Sequence, residues 1–480
     1  MMKVQESSPA YEALVQSVST DNWTLVPLKD LGKWSGGGTP SKSKLDYWEG
    51  GTIPWVSPKD MKTDHIVDSE DHITKTAVEE STAKLIPAGS VLIVTRSGIL
   101  RHTLPVAVTT VPVTVNQDLK ALTPKEGVLP EYVAWALRCF AREILNTCSK
   151  QGTTVSSIET AALHRFEIPV APIDQQKRIV AEIEKQFSRL DEAVANLKRV
   201  KANLKRYKSA VLKAAVEGRL VETEAELARR EGRSYETGAQ LLQRILETRR
   251  SQWQGKGKYK EPAAPDTTDL PELPEGWVWA SPEQLSAGVP YSLAIGPFGS
   301  SLKVNDYVTV GVPLVFVRNI RAAAFGDPNT VYISEEKAEE LRAHRVEAGD
   351  LLVTKMGDPP GDVCIYPAHR PLAIITADCI KLRTARDLLL TQFFAYAIES
   401  DLVHKQILGI TKGVAQLKVS LGRFGSIGFP LPPFTEQHRI VAEVDRRLSL
   451  LRETEAQVDA NLQRAERLRQ SILSQAFASK

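Results

Sequence analysis

Apolar residues recur every seven positions in two long stretches of the chain. The first series is Ile183, Leu190, Leu197, Leu204 and Val211, and the second is Val444, Leu451, Val458, Ala465 and Ile472. Other apolar residues follow four positions after several members, which is the a and d pattern of a coiled coil. No proline interrupts either run. The spacing predicts two long helices, each with one narrow apolar stripe. All residues of the two series except Ala465 are predicted to form the seam between the helices.

The two helical stretches are copies of each other. The segment Pro169–Glu182 returns as Pro430–Glu443, 261 residues later, and both copies contain Arg-Ile-Val-Ala-Glu. Each run follows a proline-rich turn with Asp174 or Thr435 as a possible cap. About 38 residues would make a rod of about 57 Å. A stripe this narrow needs a helical partner, and we expect the two copies to pair antiparallel; packing of each helix on its own neighbouring domain is the alternative.

Short β-branched runs bounded by Gly, Pro and Asp precede each long helix and predict strands and turns. Val91–Thr95 and Leu351–Thr354 resemble buried strands, whereas Tyr132–Leu137 and Phe393–Glu399 predict short helices. The fold class is therefore α+β, with two strand-rich α/β domains separated by two long helices that form an antiparallel coiled coil with pseudo-two-fold organisation. The predicted boundaries are an N-terminal extension (1–21), a first head (22–168), a first repeated region (169–220), an amphipathic helix with a proline-rich linker (221–275), a second head (276–429) and a second repeated region (430–480).

Composition narrows the class of protein. The 480 residues are 42% hydrophobic and 25% charged, as in an ordinary soluble protein of several domains. No apolar run reaches the length of a membrane span and no signal-peptide core is present, so cytoplasmic residence without membrane contact is expected. The four cysteines lack C-x-x-C spacing and are expected to be buried free thiols. The net charge of +3 says little about binding partners. The basic run from Arg199 to Lys213 fits a solvated helix face as well as a contact with a polyanion.

These features together resemble the specificity subunit of a type I restriction-modification enzyme. The resemblance rests on the two unlike heads, the repeated P-x-x-P-x-x-x-Q-x-R-I-V-A-E helix starts, Leu204–Ala215 with Gly218-Arg-Leu220, the helix Leu241–Trp253 and the segment Gly152–Ile158. It implies that each head reads one half of a bipartite site in double-stranded DNA and that the coiled coil sets the spacer. It also implies two methyltransferase (modification) subunits and restriction (motor-nuclease) subunits as partners. In this family the specificity subunit has no catalytic residue, metal or cofactor of its own; S-adenosylmethionine, ATP and Mg belong to the partners, which make the complex an adenine methyltransferase and endonuclease.

DNA reading needs basic and polar side chains on loops that reach phosphates and base edges. Such residues follow the predicted strands of both heads, and any one of them could instead be an ordinary surface charge. The candidates are Ser57, Lys59, Lys62, Arg96, Ser97 and Arg101 in the first head, and Arg318, Asn319, Arg321, Lys355 and Lys412 in the second. Arg96 and Lys355 follow strands at nearly matching positions.

Two other functions remain alternatives. Asp358-Pro-Pro-Gly361 is similar to the target-amine loop of amino-methyltransferases, but Gly361 replaces the stacking aromatic and no glycine-rich methyl-donor turn precedes it. A constrained turn after the preceding strand is the simpler interpretation. Scattered carboxylates do not define a nuclease site, and the histidines form no ligand-spaced cluster. The second alternative is a coiled-coil protein scaffold without DNA specificity, which steep salt dependence of DNA binding would distinguish.

Overall fold

The structure, a computed structural model, describes residues 22–150, 155–253, 258–321, 324–326, 329–412 and 417–478. The predicted N-terminal extension, 1–21, lies outside these residues, as do parts of Gly152–Ile158 and of the basic linker around residue 256. The described chain divides into a first unit, residues 22–198 with 459–478, and a second unit, residues 199–458. Both unit boundaries fall inside the long helices, because each helix contributes one half to each unit.

Among its described residues, the first unit contains ten strands and four short α-helices before the first long helix. The strands are β1 (Thr24–Pro27), β2 (Gly32–Gly36), β3 (Ile53–Val56), β4 (His65–Ile66), β5 (His72–Ile73), β6 (Val91–Val94), β7 (Val106–Thr109), β8 (Thr114–Val115), β9 (Leu119–Pro124) and β10 (Glu167–Val170). The helices are α1 (Lys75–Glu80), α2 (Pro130–Cys139), α3 (Ala141–Cys148), α4 (Thr160–Arg165) and the long α5 (Ile173–Val216).

Two sheets and a two-stranded ribbon form the first head. Their strand orders are β2-β9-β6-β7-β4, β5-β3-β8 and β1-β10. All four residues of β6 are fully buried, because the strand lies inside the sheet and α2 packs against it. A continuous apolar strand of this kind is what burial on both faces requires. Tyr132 on α2 is also fully buried and donates its hydroxyl to the Pro169 carbonyl at 2.9 Å.

The second unit contains the remaining elements. Its strands are β11 (Val278–Ala280), β12 (Leu293–Ile295), β13 (Tyr307–Val308), β14 (Val312–Val315), β15 (Ile320–Arg321), β16 (Ala324–Phe325), β17 (Tyr332–Ile333), β18 (Arg345–Val346), β19 (Leu351–Thr354), β20 (Val363–Ile365), β21 (Ala373–Ile375), β22 (Cys379–Leu382) and β23 (Phe429–Leu431). Its helices are α6 (Glu224–Glu231), α7 (Gly238–Ser251), α8 (Pro282–Leu285), α9 (Glu335–Glu340), α10 (Thr391–Glu399), α11 (Asp401–Gly409), α12 (Leu421–Gly425) and the long α13 (Phe434–Ala476).

The two heads share one topology. The order β2-β9-β6-β7 of the first head matches β12-β22-β19-β20 of the second. The parallel pair β3–β8 matches the parallel pair β14–β21, and the ribbon β1–β10 matches β11–β23. The internal repeat predicted from sequence is therefore present in the fold, and the α+β class with two strand-rich domains is confirmed.

Each head is joined to its long helix by the same hydrogen bonds. In the first unit the Trp23 indole donates to Gln175 at 2.8 Å, and the fully buried Gln176 accepts from the Leu129 amide at 2.9 Å. In the second unit the Trp277 indole donates to Glu436 at 3.1 Å, and the fully buried Gln437 accepts from the Leu390 amide at 2.9 Å. The positions on the helices differ by the 261 residues that separate the sequence copies. The repeated sequence therefore encodes a repeated joint between head and helix.

Within each unit the two long helices pack antiparallel. In the first unit the beginning of α5 contacts the end of α13: Ile183 and Phe187 share a core with Leu473, and Arg469 stacks over the Phe187 ring at 4.5 Å. In the second unit the end of α5 contacts the beginning of α13, where Val211 and Val444 share a core. This pairing confirms the predicted antiparallel coiled coil.

The predicted seam residues differ in burial. Ile183, Val211, Val444, Leu451 and Val458 are buried, whereas Leu190, Leu197, Leu204 and Ile472 are half-buried. Two charged residues that lie four positions after members of the stripe, Lys208 and Arg469, form ion pairs: Lys208 with Glu399 at 2.6 Å, and Arg469 with Asp191. The partner of Lys208 lies on the neighbouring helix α10, and the partner of Arg469 lies on α5.

Two details of the helices differ from expectation. Asp174 and Thr435 do not cap the long helices, which begin one residue earlier, at Ile173 and Phe434. The Pro172 carbonyl accepts from the amides of Gln175 and Gln176, and the Pro433 carbonyl accepts from those of Glu436 and Gln437. A proline before a helix can accept in this way because it keeps its C=O. Among the helices of the described ranges, none combines the length and apolar character that a bilayer crossing requires.

Candidate nucleic-acid interface

Polar loops gather at one edge of the first head, where the parallel strands β3 and β8 both end. The Asn116 amide donates to the Val56 carbonyl at 2.9 Å, and this bond joins the turn Asn116–Asp118 to the end of β3. The Asp118 carbonyl accepts from the amides of Thr95 and Arg96 at 2.8 and 3.2 Å, which brings in the loop after β6. We call this set of loops, residues 37–44, 57–64, 95–105, 116–118, 149–150 and 155–158, the first loop edge.

Residues 149–150 and 155–158 complete the first loop edge. Ser97 donates its amide to the Ser156 carbonyl at 3.1 Å, and Ile158 donates its amide to the Thr95 carbonyl at 2.8 Å. Lys150 donates its amide to the Ser157 carbonyl at 2.9 Å. These backbone bonds fix the loop after β6 against residues 155–158. Ligand sites of open α/β sheets likewise lie outside the carboxyl ends of the strands.

Two first-head candidates serve the loops themselves. Ser57 is buried, and both its amide and its hydroxyl donate to Asp60, at 2.8 and 2.9 Å. Lys59 pairs with Asp71 at 2.9 Å and Glu70 at 3.2 Å, and the hydrogen bond to Asp71 is the main reason that its pKa is raised. The polar groups of these two side chains are engaged within the protein, and their contact with DNA stays a prediction.

The other first-head candidates lie on the surface. Lys62, Arg96 and Arg101 are exposed on the loops of the first loop edge. Ser97 is half-buried and caps the short helical turn Gly98–Arg101 by accepting from the Ile99 amide. Three of the candidate cations are therefore exposed at this edge, and Ser97 caps the turn that carries Arg101.

The second head has an equivalent surface at the ends of β14 and β21. Thr376 donates its amide to the Val315 carbonyl at 2.9 Å, and Lys355 donates its amide to Asp378 at 2.8 Å. Lys412 and Lys418 form an antiparallel bridge, and the Val419 amide, which donates to the Lys355 carbonyl at 3.0 Å, joins this segment to the edge. We call the described residues among 296–303, 316–321, 355–361, 376–378 and 411–419 the second loop edge.

The turn after β14 holds three candidates. Asn319 is buried; its side-chain oxygen accepts from the Phe316 amide at 2.8 Å, and its side-chain nitrogen donates to the Gly326 carbonyl at 3.1 Å. Asn319 therefore supports the turn, and its contact with a base stays a prediction. Arg318 is half-buried, stacks on Phe316 at 4.0 Å and donates to the Asn329 carbonyl. Arg321 ends β15, and its side chain lies outside the described part of the structure.

The lysines of the second loop edge occupy two environments. Lys355 is half-buried and donates its ammonium to the Ala377 carbonyl at 3.1 Å, whereas Lys412 is exposed. The hydrogen bonds also correct the alignment of the heads: Lys355 corresponds to Thr95, because both donate to the aspartate of the following turn, and Arg96 corresponds to Met356. The two heads therefore present different side chains at the same place.

Sequence reasoning missed the turn residues. Gln117 is exposed and accepts from the Thr39 hydroxyl, and Lys418 is exposed beside Lys412. The signal was available: Asn116-Gln-Asp118 is a polar triplet directly after a buried strand, and such positions line strand-end sites. Only the parallel pairing of β3 and β8, which is a long-range contact, assigns the triplet to the same edge as Arg96.

The Asp358-Pro-Pro-Gly361 segment forms a tight turn between β19 and β20. Gly361 has a φ of 108° and donates its amide to Thr354, at 3.0 Å to the carbonyl and 2.9 Å to the hydroxyl. A constrained turn therefore replaces the methyltransferase loop considered above. The four cysteines are free, three of them buried and Cys139 half-buried. Across the described residues no group of three His, Cys, Asp or Glu side chains is placed to hold a metal ion.

Two topologically equal heads, each fixed to a shared antiparallel helix pair, define a two-headed class of protein. The family model that describes the type I restriction modification DNA specificity domain matches residues 20–206 and 326–463. The chain belongs to this family.

Relatives and solved structures agree with this assignment. The chain is 47% identical over 167 residues to the Escherichia coli type I restriction enzyme EcoR124I/EcoR124II specificity subunit, a match that covers 35% of this chain and 41% of that protein. It is 29% identical over 202 residues to the MjaIX specificity subunit of Methanocaldococcus jannaschii, covering 42% of this chain and 44% of that protein. The matches thus span less than half the length of these two relatives.

Two solved structures share the fold across nearly the whole chain. A chain from work on complex assembly and conformational transition of the type I R-M system superposes with a TM-score of 0.65 at 17% identity, covering 96% of this chain and 98% of that one. The HsdS subunit of Thermoanaerobacter tengcongensis gives 0.53 at 18% identity, covering 95% and 97%. At these identities the likeness concerns the fold.

Proposed function

We propose that this chain is the DNA-reading specificity subunit of a type I restriction-modification complex. Each head reads one half of a bipartite site in double-stranded DNA, and the helix pair sets the spacer between the halves. The observation that supports this best is the loop edge that both heads build at one topological position from different side chains. One frame with two unlike edges suits the reading of two unlike sequences.

The loop edges have the chemistry that DNA reading needs. Exposed cations fix a protein on phosphates, and polar side chains on rigid loops distinguish base edges in the major groove. Lys62, Arg96 and Arg101 at the first loop edge, and Lys412 and Lys418 at the second, are assigned to phosphate or guanine contacts. Gln117 is assigned to base reading, because a side-chain amide can pair with adenine in two ways at once.

The complex implied by this role supplies the chemistry. The chain itself is assigned no catalytic residue; two modification subunits would methylate adenine with S-adenosylmethionine, and restriction subunits would use ATP and Mg. We assign the repeated joints, Trp23–Gln175 and Trp277–Glu436, to the neighbourhood where two identical partners dock, since identical partners need equivalent surfaces. The complex is proposed to act in the cytoplasm.

The test is to map methylated adenines in DNA exposed to this chain and its modification subunits. One heptad is then inserted after Lys198 and one after Val458, in register with the seam. Seven residues lengthen a helix by about 10 Å, so the spacer should grow by about three base pairs while both half-sites stay unchanged.

A matched variant inserts two residues at each position, which rotates the stripe by about 200° to the opposite face of each helix and should abolish specific methylation instead of lengthening the spacer. Altered half-sites after the heptad insertion would show that the helices do not act as a ruler. Weak binding to random duplex DNA with little salt dependence would favour the protein-scaffold alternative, because phosphate contacts release counterions.

A further inference from the structure

One aromatic side chain stands out at the second loop edge. Phe298 is 71% exposed, although the two residues before it, Gly296 and Pro297, are buried. The Ser301 amide donates to the Phe298 carbonyl at 2.8 Å and closes a turn directly after the ring. The ring is therefore held at the tip of a short, ordered loop and is not packed into the core of its own unit.

The loop is fixed to the place where β21 ends. A Cβ atom on Gly296 would lie 2.1 Å from the Thr376 backbone, so only glycine permits this approach. Gly296 also donates its amide to the Cys379 carbonyl at 3.3 Å. Thr376 and its neighbour Ala377, which accepts from the Lys355 ammonium, belong to the second loop edge. Gly296 therefore contacts Thr376, and the next residue, Ala377, accepts the hydrogen bond from the Lys355 ammonium.

The first head has the same loop with a different tip. Gly37 approaches the Asn116 backbone as Gly296 approaches Thr376, and a Cβ there would lie 1.9 Å from the Asn116 carbonyl oxygen. Two residues later stands Thr39, whose hydroxyl donates to Gln117. The tip of the first head is therefore polar and tied to its edge, whereas the equivalent tip of the second head is an exposed phenyl ring.

A large apolar ring on an ordered loop beside cations matches one feature of DNA duplexes. Base faces are apolar and planar, and proteins insert Phe, Leu, Ile or Met between base steps while cations hold the flanking phosphates. We propose that Phe298 is such a wedge: it contacts base faces in the half-site of the second head and unstacks one step there. This rests on the proposed function, and it assigns shape-dependent reading to the second head that the first head lacks.

The test uses duplexes that carry the mapped site with 2-aminopurine, a base whose fluorescence rises when it is unstacked. The probe is placed in turn at each position of the second half-site except the methylated adenine and its paired base, because the partner methyltransferase would move those itself. The full chain with its modification subunits should raise the fluorescence at one step. Phe298→Ala should remove that rise and weaken specific binding about tenfold.

Two further variants make the result specific to stacking. Phe298→Trp should keep the fluorescence rise, because the indole offers a larger aromatic face. Val310→Ala removes another apolar side chain of the same head, which is 83% exposed, and should change neither readout. The thermal unfolding midpoint should be the same for all of these proteins, because both side chains are exposed.

The outcomes separate the wedge from the proposed function. Specific binding with a fluorescence pattern that Phe298→Ala leaves unchanged would overturn the wedge alone. A loss of modification-subunit binding in Phe298→Ala, with DNA binding intact, would overturn it in favour of a protein contact. If the mapped duplexes bind no more tightly than random duplex, the proposed function fails together with the wedge.

Discussion

In the first unit the indole of Trp23 donates to an amide, Gln175, whereas in the second the indole of Trp277 donates to a carboxylate, Glu436. The indole donates at the equivalent position in both joints, but the acceptor in the second joint makes an additional hydrogen bond. Glu436 also accepts from the Glu224 amide at 2.9 Å, which fixes the start of α6. The side chain of Glu224 then pairs with Arg439 and Arg233, each at 2.6 Å. A repeated frame has thus acquired an extra attachment in one copy.

The loop edges differ more than the joints do. Arg96 corresponds to Met356, Thr95 to Lys355 and Thr39 to Phe298, although the amides of Thr95 and Lys355 donate to equivalent aspartate carbonyls and Gly37 and Gly296 approach equivalent turns. Frame positions such as Gln176 are constrained by buried polar atoms that need partners, whereas exposed edge positions such as Arg96 are not constrained in this way. The comparison therefore separates residues that hold a head in place from residues that give it its target.

The largest effect is expected at the buried glutamines of the joints. Gln176→Leu leaves the Leu129 amide and the carbonyls of Gly127 and Ala171 without their partner, and should cost about 3–5 kcal/mol in the free energy of unfolding. Gln437→Leu removes bonds to Leu390 and Pro432 and should cost about 2–3 kcal/mol. Urea unfolding followed by circular dichroism measures both values.

Gln243→Leu is the matched control, because Gln243 is an exposed helical glutamine that bonds only to the surface residue Glu247 among the contacts described. Its effect should stay within about 0.5 kcal/mol. Losses for Gln176→Leu and Gln437→Leu as small as that would mean that the joints do not hold the heads.

The next effect distinguishes the two joints by pH. Burial raises the pKa of Glu436 to about 6, while bonds from Glu224 and Trp277 act in the opposite direction. The folded protein therefore holds the proton more tightly than the unfolded chain, so this contribution to stability is present below the unfolded pKa and is lost as pH rises through about 6. Glu436→Gln should flatten the fall in stability between pH 5 and 7, by about 1–2 kcal/mol at most.

The reciprocal change, Gln175→Glu, is the control for this comparison. Gln175 is half-buried, so a carboxylate there keeps part of its hydration and should add a smaller pH dependence than Glu436 provides. Thermal unfolding midpoints of the two variants and the parent chain across pH 5–8 provide the measurement. Equal slopes for parent and Glu436→Gln would show that the carboxylate does not titrate in this range.

Sequence alone predicts the frame because its signals are local and repeated. The heptads of α5 and α13 follow from a spacing of seven, and the buried strands β6 and β19 follow from continuous apolar runs. The helix α6 escaped prediction because it is only eight residues long and strongly charged. Its position depends on Glu224 meeting Arg439, a contact between residues 215 apart in sequence.

The loop edges could be predicted only in part. Arg96, Arg101 and Lys412 are exposed, as a DNA contact would require, whereas Ser57 and Asn319 carry the same sequence signal and turn inward. What separates the two groups is whether a nearby backbone group needs a partner, as the Phe316 amide needs Asn319. That requirement depends on loop geometry, and no periodic pattern encodes it.

The smallest effect tests the difference between the loop edges. Arg96→Met gives the first head the side chain that the second head has at this place, and it removes one exposed cation without touching the frame. The affinity for DNA should fall a few-fold, and the slope of log affinity against log salt should decrease by about 1, because about one counterion fewer is released.

Met356→Arg is the mirror variant and should increase the same slope by about 1. Salt titrations of duplex binding, with Gln243→Leu as a surface control, measure both. A slope that Arg96→Met leaves unchanged would place the phosphates away from the first loop edge. If Arg96→Met changed the methylated sequence of the first half-site as well as the slope, Arg96 would read a base, since a phosphate contact weakens binding to all sequences alike.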